Sequence, residues 1–110
     1  MKDLPGLAVI YRWRLKPGME SQFVEAWSRI TELYMAHRGG LGSRLHTGPD
    51  GIWYGYAQWP SAEARAAAFA GEPLDADASV RMRAAVAESL GEIVLTPVAD
   101  YLIAAGVGSN

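Results

Sequence analysis

The sequence predicts an α+β fold, an antiparallel sheet of four strands with helices on one face, and three observations lead to it. Residues Leu7–Leu15 alternate as a strand does. Met19 to Arg38 carry apolar groups at helical spacing. Leu41 to Trp59 read as a β-hairpin that hands straight to a second helix. A further helical stretch and a closing strand complete the order β-α-β-β-α-β, the split βαβ or ferredoxin-like arrangement, in which right-handed crossovers lay the helices on one sheet face. The chain of 110 residues suffices for one domain and one core. We place that core at residues 7–103, with a frayed tail at 104–110.

In the first strand Leu7, Val9, Tyr11, Trp13 and Leu15 share one face, with Ala8, Ile10, Arg12 and Arg14 on the other. Lys16-Pro17-Gly18 breaks it. The period then changes: Phe23, Trp27, Ile30 and Tyr34 form a helical stripe opposite Glu20, Glu25, Arg29 and Glu32, and Gly39-Gly40 supplies left-handed positions that end the helix. His37, in the last turn, reads as a cation favoured by the helix dipole or as a capping donor.

The hairpin turn is built from Gly48-Pro49-Asp50-Gly51, where Pro49 presets φ and Asp50-Gly51 tolerates left-handed backbone. If Thr47 pairs with Ile52, then His46 stands opposite Trp53, Arg44 opposite Gly55, and Gly42 opposite Ala57. Trp53, Gly55, Ala57 and Trp59 share a face with aromatic ends and a nearly bare middle. That pattern reads either as a pocket floor or as glycines marking bulges and tight packing under a helix.

Ser61 is the expected N-cap of a short Ala-rich helix that runs to Ala70, with Glu63 in its first turn. Gly71-Glu72-Pro73 stops it. Asp75 or Asp77 caps a second helical stretch through Leu90, closed by Gly91, with Ala78, Met82, Ala85 and Val86 as its apolar stripe. Ile93 to Ile103 is the last strand, and Pro97 within it belongs at a sheet edge or a bulge. One sheet face is left bare although apolar and aromatic residues occur on both sides of its strands, and a second copy of the chain is the simplest cover.

Composition narrows the function. The formal charge of −2, with acids and bases interspersed, offers no basic stripe for a phosphate backbone, so nucleic acid is not an expected partner. Without cysteine, disulfides, thiolate metal sites and a Cys nucleophile are excluded. No apolar run spans a bilayer and Leu4–Ile10 is too short for a signal-peptide core, so the expectation is a cytoplasmic protein with no membrane partner. Two histidines without nearby acids at helical spacing build no metal site, and no glycine-rich loop leads from a strand into a helix to cradle a nucleotide cofactor.

From about Leu7 to Ile103 the chain resembles the antibiotic biosynthesis monooxygenase family. The resemblance rests on a strand ending in Lys16-Pro17-Gly18, a helix with Phe23 and Trp27, the run Gly39 to Arg44, and above all Gln58-Trp59-Pro60-Ser61 leading into a helix. It implies a homodimeric α+β barrel with a pocket between each sheet and its helices. Members of the family oxygenate polycyclic phenols or quinols without metal or flavin, or degrade haem. Carried over singly, Trp59 stands where such enzymes place a pocket Trp at the end of the third strand. Gly55 fills the place of an Asn in quinone-forming relatives, and Arg65 lies near that of a Tyr. Haem-degrading relatives use an Asn and a His on the helix after the Trp. This chain has only Asn110, and no His between Ser61 and Ala70, which points away from haem.

Cofactor-free oxygenation needs an aromatic anion, because a phenolate can give an electron to triplet dioxygen far more readily than a phenol. His46, with an ordinary pKa of about 6.5, is the candidate base. Arg44, two residues away, is the candidate oxyanion partner. Trp59 and Trp53 would stack on planar rings over Gly55, with Phe23, Trp27 and Tyr34 as the helix-side wall. Each has a plainer reading: His46 as a surface hydrogen-bonder, Arg44 as a dimer ion-pair partner, the helix aromatics as core. The expected function is a cofactor-independent monooxygenase-like protein that forms a quinone from an aromatic or polyketide-type small molecule and dioxygen. The alternatives are a non-catalytic ligand-binding or structural barrel, and an isomerase or cyclase on the same fold.

Overall fold

The computed structural model describes residues 6–102. Ile103, the expected end of the last strand, and the tail at 104–110 lie outside the described residues. The elements are β1 (Leu7–Leu15), α1 (Glu20–His37), β2 (Ser43–Thr47), β3 (Trp53–Trp59), α2 (Ala62–Ala70), α3 (Ala76–Ala85) and β4 (Val86–Leu95). They build one four-stranded sheet in the order β2-β3-β1-β4. Every adjacent pair is antiparallel. This is the expected ferredoxin-like α+β arrangement.

β1 lies between β3 and β4, which explains why it is apolar on both sides: Val9 is fully buried toward the helices, and Ala8, on the opposite face, is 3% exposed. The helices cover the face of Tyr11, Trp13, Trp53 and Trp59. Phe23 of α1 meets Trp13 edge-on at 5.1 Å and Trp53 at 6.1 Å. Burial of a side chain of this size contributes on the order of 3 kcal/mol. Farther along α1, Tyr34 meets Trp59 at 6.0 Å, so the helical stripe tracks the strand face. At the C-terminus of α1, Gly39 at φ +78° turns the chain and lets the Gly40 N–H return to the Tyr34 carbonyl. Ser61 caps α2 through the Ala64 N–H at 3.0 Å, and Asp75, rather than Asp77, caps α3 through the Ala78 N–H at 2.9 Å.

The structure corrects two expectations. Residues Val86–Leu90 are strand, not helix: α3 stops at Ala85 and β4 begins at the next residue. The positive φ of Gly91, +85°, accompanies a register shift, since Tyr11–Trp13 spans one residue where Glu92–Ser89 spans two, and so it marks a bulge instead of a helix end. Pro97 then falls beyond the strand.

The second correction concerns the hairpin register. Gly48 donates its N–H to the Ile52 carbonyl at 2.8 Å, leaving a three-residue loop, Pro49 to Gly51, with Gly51 at φ +79°. Thr47 consequently pairs with Trp53, His46 with Tyr54, Leu45 with Gly55, and Arg44 with Tyr56. One residue of slip turns every side chain of β2 to the other face. His46 and Arg44 are therefore exposed on the face away from the helices, alongside Tyr54 and Tyr56. Asp50 fixes the loop by accepting from the Ile52 N–H at 3.0 Å and from the Tyr54 hydroxyl at 2.7 Å.

Candidate ligand cavity beneath the helices

Between the sheet and the helices lies an apolar cavity of about 190 Å³. Its floor is Tyr11 and Trp13 of β1 with Gly55, Ala57 and Trp59 of β3, and its roof is formed by Trp27, Ile30 and Tyr34 of α1, Phe69 of α2 and Met82 of α3. Strand alternation delivers the floor and helical spacing delivers the roof. Three rings close one end edge-to-face: Trp59 with Phe69 at 5.5 Å, Tyr34 with Phe69 at 5.4 Å, and Tyr34 with Trp59. At the other end Trp13 stacks on Tyr11 with an interplanar angle of 11°.

Gly55 serves both readings of the bare middle. It lines the cavity, and the Trp13 ring lies across it so closely that a Cβ would stand 2.9 Å from Cη2. Trp27 also reaches this point, its Nε1 3.8 Å from the same Cβ position.

The polar groups gather around Tyr11. Arg65 of α2 donates from Nε to the Tyr11 hydroxyl oxygen at 3.2 Å and from Nη2 to Glu92 of β4 at 2.7 Å. Its guanidinium also lies over the rings of Tyr11 at 5.6 Å and Phe69 at 5.1 Å, so the cation is fixed on several sides. Burial of the Tyr11 hydroxyl raises its pKa, and the hydrogen bond and charge of Arg65 offset only part of that. For Arg65 burial works against the charge, but the bonds to Glu92 and Tyr11 outweigh it and its pKa is raised. The indole N–H of Trp59, a residue only 4% exposed, has no hydrogen-bond partner among the described residues. It lies near enough to the Tyr11 hydroxyl to lower that group's pKa slightly, yet without hydrogen-bonding geometry.

Of the residues singled out in the sequence, Trp59, Gly55, Trp27 and Tyr34 line this cavity. Phe23 is fully buried behind Trp13 and Trp53, and neither Phe23 nor Trp53 lines it. His46 and Arg44 line a separate, open groove of about 520 Å³ on the far sheet face with Ile10, Tyr54 and Tyr56. The expectation that they face the same hollow as Trp59 is thus overturned by the hairpin register. Tyr11 and Trp13 were not singled out as site residues, and Arg65 entered only as lying near the place of a Tyr in the resembled family. The signal for the first two was their shared strand face with Leu7 and Val9; for Arg65 it was a lone cation in an Ala-rich helix.

Among the described residues no three His, Cys, Asp or Glu side chains cluster to hold a metal ion, and no helix is long and apolar enough to cross a membrane.

No protein-family model matches the chain, and no curated protein matches it. Solved structures do share its fold. A protein of Bordetella bronchiseptica provisionally named an antibiotic biosynthesis monooxygenase aligns with a TM-score of 0.73 at 17% identity, over 87% of this chain and 100% of its own. A Chloroflexus aurantiacus protein named in the same way aligns with a TM-score of 0.70 at 19% identity, over 89% and 98%. SnoaB, a cofactor-independent oxygenase from Streptomyces nogalater, aligns with a TM-score of 0.72 at 16% identity, also over 89% and 98%. At these identities the likeness is one of fold.

Proposed function

We propose that this protein is a cofactor-independent oxygenase that converts a small aromatic phenol or quinol to a quinone with dioxygen. The observation that carries the reading is the cavity itself: a wall of aromatic rings around a bare floor, in the same fold as a cofactor-independent oxygenase. An enclosed apolar cavity of about 150 Å³ is large enough to admit benzene. At about 190 Å³ the present one suits a ligand of one or two rings. The reaction balances without a further reductant: the phenolate gives an electron to dioxygen, the resulting radical pair joins at a ring carbon, and loss of water from the hydroperoxide leaves the quinone. Trp59 and Tyr34 would hold the ring edge-to-face, and the apolar walls would exclude water from the radical pair.

Two copies would pack through the sheet face that the helices leave bare. That face carries Ile10, Tyr54 and Tyr56, and on β4 Ile93 and Leu95, which are 42% and 38% exposed. The lack of cysteine suits a reducing cytoplasm. In this reading His46 and Arg44, on the outer face with Tyr54 and Tyr56, would serve the packing of the two copies and not the chemistry.

An oxygen electrode with a panel of hydroquinones and dihydroxynaphthalenes tests the proposal. Uptake above the spontaneous rate that survives a chelator and is lost in Trp59→Ala supports it. Binding of the same panel without uptake would favour the non-catalytic ligand-binding reading.

A further inference from the structure

We propose that α2 is a lid on the aromatic cavity and that Arg38 is the positioning residue that holds it shut, so that a ligand enters and leaves as the end of α2 carrying Phe69 lifts. This rests on the aromatic-ligand reading above and adds how the cavity is reached and which residue sets the rate.

The helix is weakly anchored by its own packing. Five of the seven residues around Arg65 and Phe69 in Ala62–Ala70 are not needed to see this: Ala68 alone in the helix is buried, whereas α1 buries Phe23 and Ala26. Phe69, part of the cavity roof, is 44% exposed. An alanine offers little apolar area, so lifting α2 vacates little of the core.

What holds α2 is polar, and it comes from two arginines. Arg65 ties its first half to β1 and β4 through the Tyr11 hydroxyl at 3.2 Å and Glu92 at 2.7 Å. Arg38, at the end of α1, holds the second half. It donates from Nη1 to the Ala68 carbonyl at 2.6 Å and from Nη2 to the Glu72 carbonyl at 2.7 Å, on either side of Phe69 in the chain. The Ala68 carbonyl belongs to the last turn of α2, where the helix has no N–H left to meet it. That turn also has no basic residue of its own to answer the negative helix end. Arg38 supplies both the donor and the charge.

The same guanidinium lies over the Tyr34 ring at 6.0 Å, and Tyr34 meets Phe69 at 5.4 Å, so the cation is set against the rings that close the cavity. Gly71 makes room for it: a Cβ there would stand 3.0 Å from Nη2 and 3.1 Å from Cζ. Trp59 reports the closed position. It packs with Ala68 and Phe69 of the lid, and its indole nitrogen is buried.

Two measurements on Arg38→Met test this. Stopped-flow mixing with 1-naphthol gives entry and exit rates, and hydrogen exchange of the Trp59 indole N–H reads lid opening without a ligand. The proposal predicts that both naphthol rates and the Trp59 exchange rise about tenfold, as loss of hydrogen bonds from a charged donor implies. Affinity changes by less than about threefold, because entry and exit rise together. Gly71→Ala, whose methyl crowds the guanidinium while its backbone at φ −83° is ordinary, reproduces part of the rise. Arg29→Met is the control: it removes the 3.2 Å contact from α1 to Asp75 at the start of α3, away from the lid, and leaves all three rates as in the wild type. Unchanged rates in Arg38→Met, or an equal rise in Arg29→Met, overturn the lid. If naphthol does not bind the wild type, the aromatic-ligand reading falls; a rise in Trp59 exchange in Arg38→Met then still supports the lid, and its absence overturns it.

Discussion

Trp13 lies across Gly55, with Cη2 and Cζ3 of its ring 2.9 and 3.0 Å from the place a Cβ would occupy. The ring cannot retreat easily, because Tyr11 stacks beside it and Phe23 meets its edge. Gly55→Ala is therefore expected to destabilise the fold by about 1–3 kcal/mol, the usual cost of overpacking a core, and to weaken binding in the cavity. Urea unfolding and ligand titration of the same variant measure both. A fully stable Gly55→Ala would mean that Trp13 does not rest on this glycine.

Gly51 makes a different kind of prediction. It sits at φ +79° with nothing within 4 Å of a Cβ, so substitution meets no clash and only the left-handed backbone resists it. Gly51→Ala should cost about 1 kcal/mol, read as a lower urea midpoint at constant slope.

His46 and Trp59 separate the two faces of the sheet. His46→Ala, on the outer face, should leave cavity binding unchanged, any effect on stability coming through the packing of two copies. Trp59→Ala removes a buried ring that closes the cavity and should lower stability by about 3–5 kcal/mol as well as abolishing binding. Loss of cavity binding in His46→Ala would restore that residue to the site.

Acid should weaken the start of α3. The Asp75 carboxyl is held below its ordinary value of 3.8 by the Ala78 N–H and then by Arg29, which approaches to 3.2 Å. A carboxyl with a depressed folded pKa contributes stability that is complete above the unfolded value and drains as the pH falls below it toward the folded one. In Asp75→Asn, stability should depend less steeply on pH below about 4 than in the wild type. Asp50, lowered by the Tyr54 hydroxyl and the Ile52 N–H, adds to the same acid limb at the hairpin.

Much of the fold was legible because the periodic segments are long. β1, α1 and β3 declare themselves by alternation or helical spacing, and the caps Ser61 and Asp75 by residue type. The helix-facing aromatics Trp59, Trp27 and Tyr34 followed from those periods. Two local features were not legible, and both turn on a glycine. Gly91 fits a helix end as well as a bulge, since either needs positive φ, and Val86 and Leu90 are spaced as suits a helix as well as a strand. Gly48-Pro49-Asp50-Gly51 closes a hairpin equally well with four loop residues or three. That single residue decides which face of β2 holds His46 and Arg44, and so the whole polar half of the expected site moved to the far side of the sheet. Tyr11 and Arg65 lie 54 positions apart in the chain, so their pairing depends on how α2 lies over β1 and has no local signal.

The account stands on the cavity beneath the helices, and not the groove on the outer face, being where an aromatic ligand binds. The four tryptophan side chains give separate indole N–H resonances, and titration of the labelled protein with naphthol reads them one by one. The account predicts that Trp59 shifts most, with Trp13 and Trp27 following and His46 unmoved. Shifts confined to His46 and its neighbours Tyr54 and Tyr56, with the Trp59 signal unchanged, would contradict it.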